Sequence, residues 1–121
     1  MKILIVEDEL YNMKLMNRVV TIHGHKPEEA YSGKEAIQKA ASFQPDVILM
    51  GIKFQDMDGF ETTRKLKELE NIKNIPVIVV TSYSQEDHNE EAKKSGCCGF
   101  LQKPINPLTI MDEIKGIMGL V

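Results

Sequence analysis

The stretch Val47-Ile48-Leu49-Met50-Gly51, entered through Pro45-Asp46, decides how the chain is read. Its run of large apolar residues is too short for a buried helix. It suits a strand covered on both faces, as found in a parallel α/β sheet. In open parallel sheets the ligand crevice lies outside the carboxyl ends of the strands, where the strand order reverses. Met50-Gly51 is expected at that rim, so the chemistry of the site turns on what a glycine can do there.

Outward from this strand, short apolar runs alternate with amphipathic segments. Ile3 to Val6 reads as a first buried strand, and Leu10 to about His23 as a helix with Leu10, Met13 and Val20 at helical spacing and Gly24 past its end. A weak second strand is expected around Glu28 to Tyr31. Ser32 and Glu35 form a capping box for a helix to about Phe43, with Ile37, Ala40 and Ala41 as its apolar stripe. Asp58-Gly59 opens a helix with Phe60, Leu66 and Leu69 facing inward and an end near Asn71, Asp58 reading as its N-cap. Val77 to Thr81, rich in β-branched residues, is the fourth strand.

Ser84 with Asp87 can start a helix over Gln85 to Ser95, which Gly96 can stop. Ala92 is almost its only apolar residue, so this helix is expected to be the least firmly docked. Gly99 to Gln102 is a short fifth strand. Asn106 and Pro107 then suit the N-cap and first position of a last helix striped by Leu108, Met111, Ile114, Ile117 and Met118. Five strands alternating with five helices give an α/β, doubly wound parallel sheet, for which the order 2-1-3-4-5 is common, in a single domain over 1–121.

Composition narrows the function classes. A length of 121 residues and a 42% hydrophobic content suit one ordinary core. Eighteen acidic against fifteen basic residues give a net charge of −3 with no basic cluster, which argues against nucleic-acid binding. The apolar run before Glu7-Asp8-Glu9 is too short for a signal peptide or a membrane span, so no membrane association and a cytoplasmic location are expected. Adjacent Cys97 and Cys98 fit neither a disulfide framework nor a spaced metal site and read as small buried side chains. His23, His25 and His88 are scattered and read as surface side chains.

A flavodoxin-like nucleotide binder needs a Gly/Ser/Thr-rich loop after the first strand to wrap a phosphate with amides. This chain has Glu7-Asp8-Glu9 there, which repels a bare phosphate and attracts a divalent cation. Carboxylates at a strand end can also cap the following helix, a reading the residues alone leave open.

Across nearly its whole length the chain resembles the receiver domains of two-component response regulators. The resemblance rests on Ile3-Leu4-Ile5-Val6-Glu7-Asp8, Pro45-Asp46 through Met50, Asp58-Gly59, Pro76 through Thr81, and Gly99-Phe100-Leu101-Gln102-Lys103-Pro104. It looks most like stand-alone receivers without an output module. The resemblance implies that Asp8 holds Mg²⁺ directly, Glu7 through water and Lys53 by its backbone carbonyl. It implies that Thr81 and Lys103 contact the phosphoryl group, that the Lys103-Pro104 bond is cis, and that Thr81 and Phe100 form the switch pair. A histidine kinase or phosphotransfer protein and a downstream protein are the implied partners. A chemotaxis receiver also has the strand order given above, so precedent supports that order as well.

The departure is at Gly51, where the family carries the aspartate that becomes an acyl phosphate. Glycine has no nucleophile. With Glu7, Asp8 and Lys103 alone the pocket carries about −1, against about −2 in the family, so Mg²⁺ is expected to bind weakly. Asp8, Asp56 and Asp58 match no acceptor position, and the hydroxyls of Thr81 and Ser82 have no evident base. Gln55 stands where the family often has proline, implying a less constrained loop. Two readings follow. In one the chain is a phosphorelay receiver that has lost its acceptor. In the other it is a degenerate receiver, a binding module acting without phosphorylation. Neither is an enzyme with its own substrate.

Overall fold

The computed structural model describes residues 1–82 and 89–120. It alternates β1 (Lys2–Val6), α1 (Leu10–Ile22), β2 (Lys26–Ala30), α2 (Gly33–Phe43), β3 (Val47–Met50), α3 (Gly59–Lys67), β4 (Val77–Thr81), α4 (Asn89–Ser95), β5 (Gly99–Gln102) and α5 (Ile110–Met118). All strand pairs are parallel, in the order β2-β1-β3-β4-β5. The expected doubly wound sheet is therefore the fold, and β1 beside β3 is where the strand order reverses.

The strands sort their side chains by the period-two alternation of extended chain. Ile3, Ile5, Val47, Leu49, Ile78 and Val80 point to one face, packing with Met13, Met16 and Val20 of α1 and Ile110, Met111 and Ile114 of α5. Leu4, Val6, Ile48, Met50 and Val77 point to the other, against Ala36 and Ala40 of α2 and Leu66 of α3. Val79 belongs to a separate small group with Phe60 and Ala92. β3 is buried at all four positions, the environment its unbroken apolar run anticipates.

Helix starts follow the local signals. Ser32 Oγ accepts from the Glu35 amide at 3.1 Å, and Asp58 Oδ1 accepts from the Glu61 amide at 2.8 Å. Three expected boundaries shift. β2 begins at Lys26, earlier than Glu28, and includes Pro27. The ring is tolerated because β2 is an edge strand, where a missing donor breaks no second ladder. α3 ends at Lys67 instead of near Asn71, because the Lys67 ammonium bonds the Lys73 and Ile75 carbonyls and holds the following residues in turns, with Ile72 buried beneath them. Asn106 does cap, its side chain accepting from the Leu108 amide at 3.0 Å, but it caps a turn that precedes the regular helix at Ile110.

Several apolar residues assigned inward lie outside. Leu10 at the first turn of α1, Ala41, Leu69 in the turn after α3, and Leu108 at 87% exposure are all solvent-facing. Each sits at an element end or off the buried arc, where spacing alone does not fix direction. Cys97 is only half-buried and Cys98 is exposed, so neither is the buried thiol expected; both are free. Cys98 stands just before β5, where its amide donates to the Val77 carbonyl at 2.9 Å while its side chain remains outside. His23 is exposed, whereas His25 is half-buried with Nδ1 2.8 Å from the Met1 amino group. The expected helix start at Ser84 to Asp87, and His88, lie outside the described residues.

Candidate functional site

The sheet ladder itself builds the site. One hydrogen bond past the end of its strand, the Glu7 amide donates to the Ala30 carbonyl at 3.0 Å, the Gly51 amide to Val6 at 2.9 Å, and the Lys103 amide to Thr81 at 2.8 Å. The carboxyl ends of β1, β3, β4 and β5 are thereby held in register, and the residues just beyond them share one rim. A cleft of about 330 Å³ opens there, lined by Glu7, Asp8, Gly51, Lys53, Thr81 and Lys103 together with Glu9, Asn12 and Ser82. Every polar residue that the sequence assigned to the pocket is in this one cleft.

Glu7 is 4% exposed and fully engaged: Lys103 Nζ donates to its Oε1 at 2.8 Å and the Glu9 amide to its Oε2 at 3.0 Å. Burial favours the neutral acid, but the Lys103 ammonium and the Glu9 amide outweigh it and hold the Glu7 carboxyl below its usual range. Asp8 is exposed and its pKa is shifted upward, first by desolvation and then by the neighbouring Glu7. Glu9 has a different task. Its Oε2 accepts from the Asn12 amide at 2.7 Å and caps α1, so the capping role falls to Glu9 rather than to the Glu7-Asp8 pair. An acidic residue three positions before Asn12 was the available sequence signal. Asn12 and Ser82, which also line the cleft, had none.

Gly51 is buried and its φ is ordinary, so its lack of a side chain is not a backbone requirement. A Cβ built there would meet the Val6 carbonyl oxygen at 3.1 Å and the edge of the Phe54 ring at 3.4 Å, a fit that asks the neighbours to give by a few tenths of an ångström. Gly59 is the opposite case. A Cβ there would overlap the backbone carbonyl of Gly51, and the Gly59 amide donates to the Ile52 carbonyl at 2.6 Å. The loop from Gly51 to Gly59 thus closes on itself through a position with no room for a side chain.

Gln55 is exposed in this loop, and the neighbouring Asp56 fastens it. The Asp56 carboxylate accepts from the Gly33 amide at 3.0 Å, the Lys34 amide at 2.8 Å and the Met57 amide at 3.0 Å. It bridges the loop to the first turn of α2, where the orphan amides and the helix dipole favour an anion. The same bonds lower its pKa. Asp56 is therefore spent on the helix terminus and does not line the cleft, and Asp58 is spent on α3.

Phe100 of β5 is half-buried, its ring 6.4 Å from Phe60 between centroids and tilted by 55°. It packs against the small group of Phe60, Val79 and Ala92, one strand residue away from Leu101 in the other core. The Lys103-Pro104 bond is cis. Thr81 is buried at the end of β4.

A flavodoxin-like parallel sheet with an acid and amine cleft at its switch point defines the CheY-like class of signalling domains. The profile of the response regulator receiver domain matches residues 3–115, and the chain belongs to that family. The polar-differentiation response regulator DivK of Brucella ovis is 35% identical over 117 residues, covering 97% of this chain and 95% of its own. The chemotaxis protein CheY4 of Vibrio cholerae matches with a TM-score of 0.91 at 28% identity, over 96% of this chain and 97% of that one. A receiver domain of a sensor histidine kinase from Pseudomonas aeruginosa, solved with a magnesium ion in its active site cleft, shares the fold. It matches at a TM-score of 0.88 and 24% identity, over 98% of this chain and 97% of that one. Receiver domains are signalling modules that interact with histidine kinases or phosphotransfer proteins and with downstream targets. Among the described residues no helix is long and apolar enough to cross a membrane.

Proposed function

We propose that this chain is a receiver in phosphorelay signalling that accepts no phosphoryl group at position 51 and passes its signal through protein contact. One observation carries this reading: the cleft gathers Glu7, Asp8, Thr81 and Lys103 around a glycine. An acyl phosphate needs a carboxylate oxygen as nucleophile, and Gly51 supplies none. Asp56 and Asp58, the carboxylates of the same loop, are engaged by helix amides. Thr81 and Lys103 keep the donor types that would meet a phosphoryl group, and Thr81 with Phe100 is the switch pair. The partners in this reading are a histidine kinase or phosphotransfer protein on one side and a regulated protein on the other.

The residues suit Mg²⁺ weakly. Asp8, with its pKa raised beside a second carboxylate, is relieved by an added cation, and Glu7 and the Lys53 carbonyl complete the oxygen donors. Both Glu7 oxygens already have donors, and no third carboxylate stands at position 51. When bound, the ion would supply positive charge to the cleft; the chain's own part is to orient the oxygens that hold it.

A second reading, a degenerate receiver acting as an interaction module without phosphorylation, is favoured by the internal Lys103–Glu7 pair, which engages the buried carboxylate of the cleft without any ligand. Incubation with a small phosphodonor followed by intact-mass measurement tests the main claim: no adduct is expected for the chain as it stands, and a stoichiometric phosphate adduct would overturn it. Gly51→Asp separates the two readings. A phosphodonor-dependent response from that one substitution supports the phosphorelay receiver, and continued silence supports the interaction module.

A further inference from the structure

We propose that Lys103 is the resident counter-ion of this cleft, competing through Glu7 with any divalent cation. The inference rests on the reading that Glu7 and Asp8 form the cation site, and it adds a regulator of that site. Lys103 Nζ lies 2.8 Å from Glu7 Oε1, and the pair is sheltered, the Glu7 side chain 5% and the Lys103 side chain 25% exposed. Gly51 offers the ammonium no carboxylate, so Glu7 is the acid that takes it. The second Glu7 oxygen is held by the Glu9 amide at 3.0 Å, which leaves that carboxylate no oxygen without a donor.

Charge decides the direction of the effect. Glu7, Asp8 and Lys103 together carry one net negative charge, and a divalent ion added to them leaves an excess of one positive charge in a partly desolvated cleft. Without the ammonium, two carboxylates and one divalent ion balance. Like charges held close in such a setting repel more than they do in water. A cation entering this cleft therefore meets a positive charge already seated on one of the two carboxylates offered to it.

The test is Mg²⁺ binding, read by calorimetry and by the shift in thermal midpoint on adding Mg²⁺. It uses the unaltered chain, Lys103→Met, Lys103→Gln, Glu7→Gln, the Glu7→Gln/Lys103→Gln double variant and Gly51→Asp. Lys103→Gln keeps an N–H donor within reach of Glu7, so the comparison survives if Lys103→Met does not fold by circular dichroism. Removing the ammonium is expected to tighten Mg²⁺ binding by about fivefold or more. It should also enlarge the Mg²⁺-induced rise in melting midpoint. The gain should shrink in the Glu7→Gln background. Unchanged or weaker binding in both Lys103 variants would overturn the inference, and so would an equal gain in the two backgrounds, which would place the effect in net charge alone. The underlying reading fails separately, if Gly51→Asp binds Mg²⁺ no more tightly than the unaltered chain. A tighter Gly51→Asp beside an unchanged Lys103→Gln leaves that reading standing and removes only the role given to Lys103.

Discussion

The two faces of the sheet are built differently. On the α1 and α5 face, side chains from β1, β3, β4 and β5 join both helices in one continuous apolar group. On the opposite face the apolar contacts divide, a larger group under α2 and the Leu66 side of α3, and a small one in which Phe60 of α3 and Ala92 of α4 meet Val79. Val77 and Val79 are neighbours on one face of β4, yet they belong to different groups. The divided face relies on polar fastenings where apolar area runs short. Asp56 bonded to the α2 amides and Lys67 bonded to the turn carbonyls both lie there.

The largest expected effect is on the continuous face. Leu49→Ala, at a residue 1% exposed in the centre of that group, should cost about 2–5 kcal/mol by urea denaturation, through lost transfer energy and the cavity left behind. A loss below that of a comparable truncation on the α4 side would break the comparison. Next comes the loop that closes over Gly51. Gly59→Ala forces a methyl group onto a backbone carbonyl, and should cost about 1–3 kcal/mol or prevent folding. A neutral result would mean that the loop opens freely.

A smaller effect is expected in α4, whose buried residues are Ala92 and Ser95. Amides of residues 89–95 should exchange faster than those of α1 and α5, and Ala92→Gly should cost about 1 kcal/mol and speed that local exchange about fivefold. Protection in α4 equal to that in α1 would erase the contrast between the faces.

The smallest effect belongs to the surface clamp at Asp56. Its folded pKa is lowered by the Lys34 and Gly33 amides, so its contribution is present above its unfolded value near 3.8 and is lost as pH falls through the folded value. Asp56→Asn should lower the melting midpoint slightly at neutral pH, with the gap to the unaltered chain closing below about pH 4. A gap independent of pH would assign the effect to something other than the carboxylate charge.

Much of this was legible in the residues. The apolar runs at Ile3, Val47 and Val77, the capping signals at Ser32 and Asp58, and the acidic pair after the first strand placed the strands, two helix starts and the cleft at one rim. Those signals are local: a strand or a cap is decided by a handful of consecutive residues. Directions at element ends were not legible. Leu10, Leu69 and Leu108 satisfy helical spacing on paper but project where no neighbouring element covers them.

The chain by itself determined the order of elements and the glycine that follows the third strand, because each of these is written in neighbouring residues or their succession. Only the folded arrangement decided which polar groups meet. Lys103 and Glu7 are 96 positions apart, and Asp56 reaches back 23 positions to Gly33. Pairing of that kind is set by which donors and acceptors the sheet and its crossovers bring within about 3 Å of one another, and by which of them are screened from water. Spacing along the chain contains neither quantity.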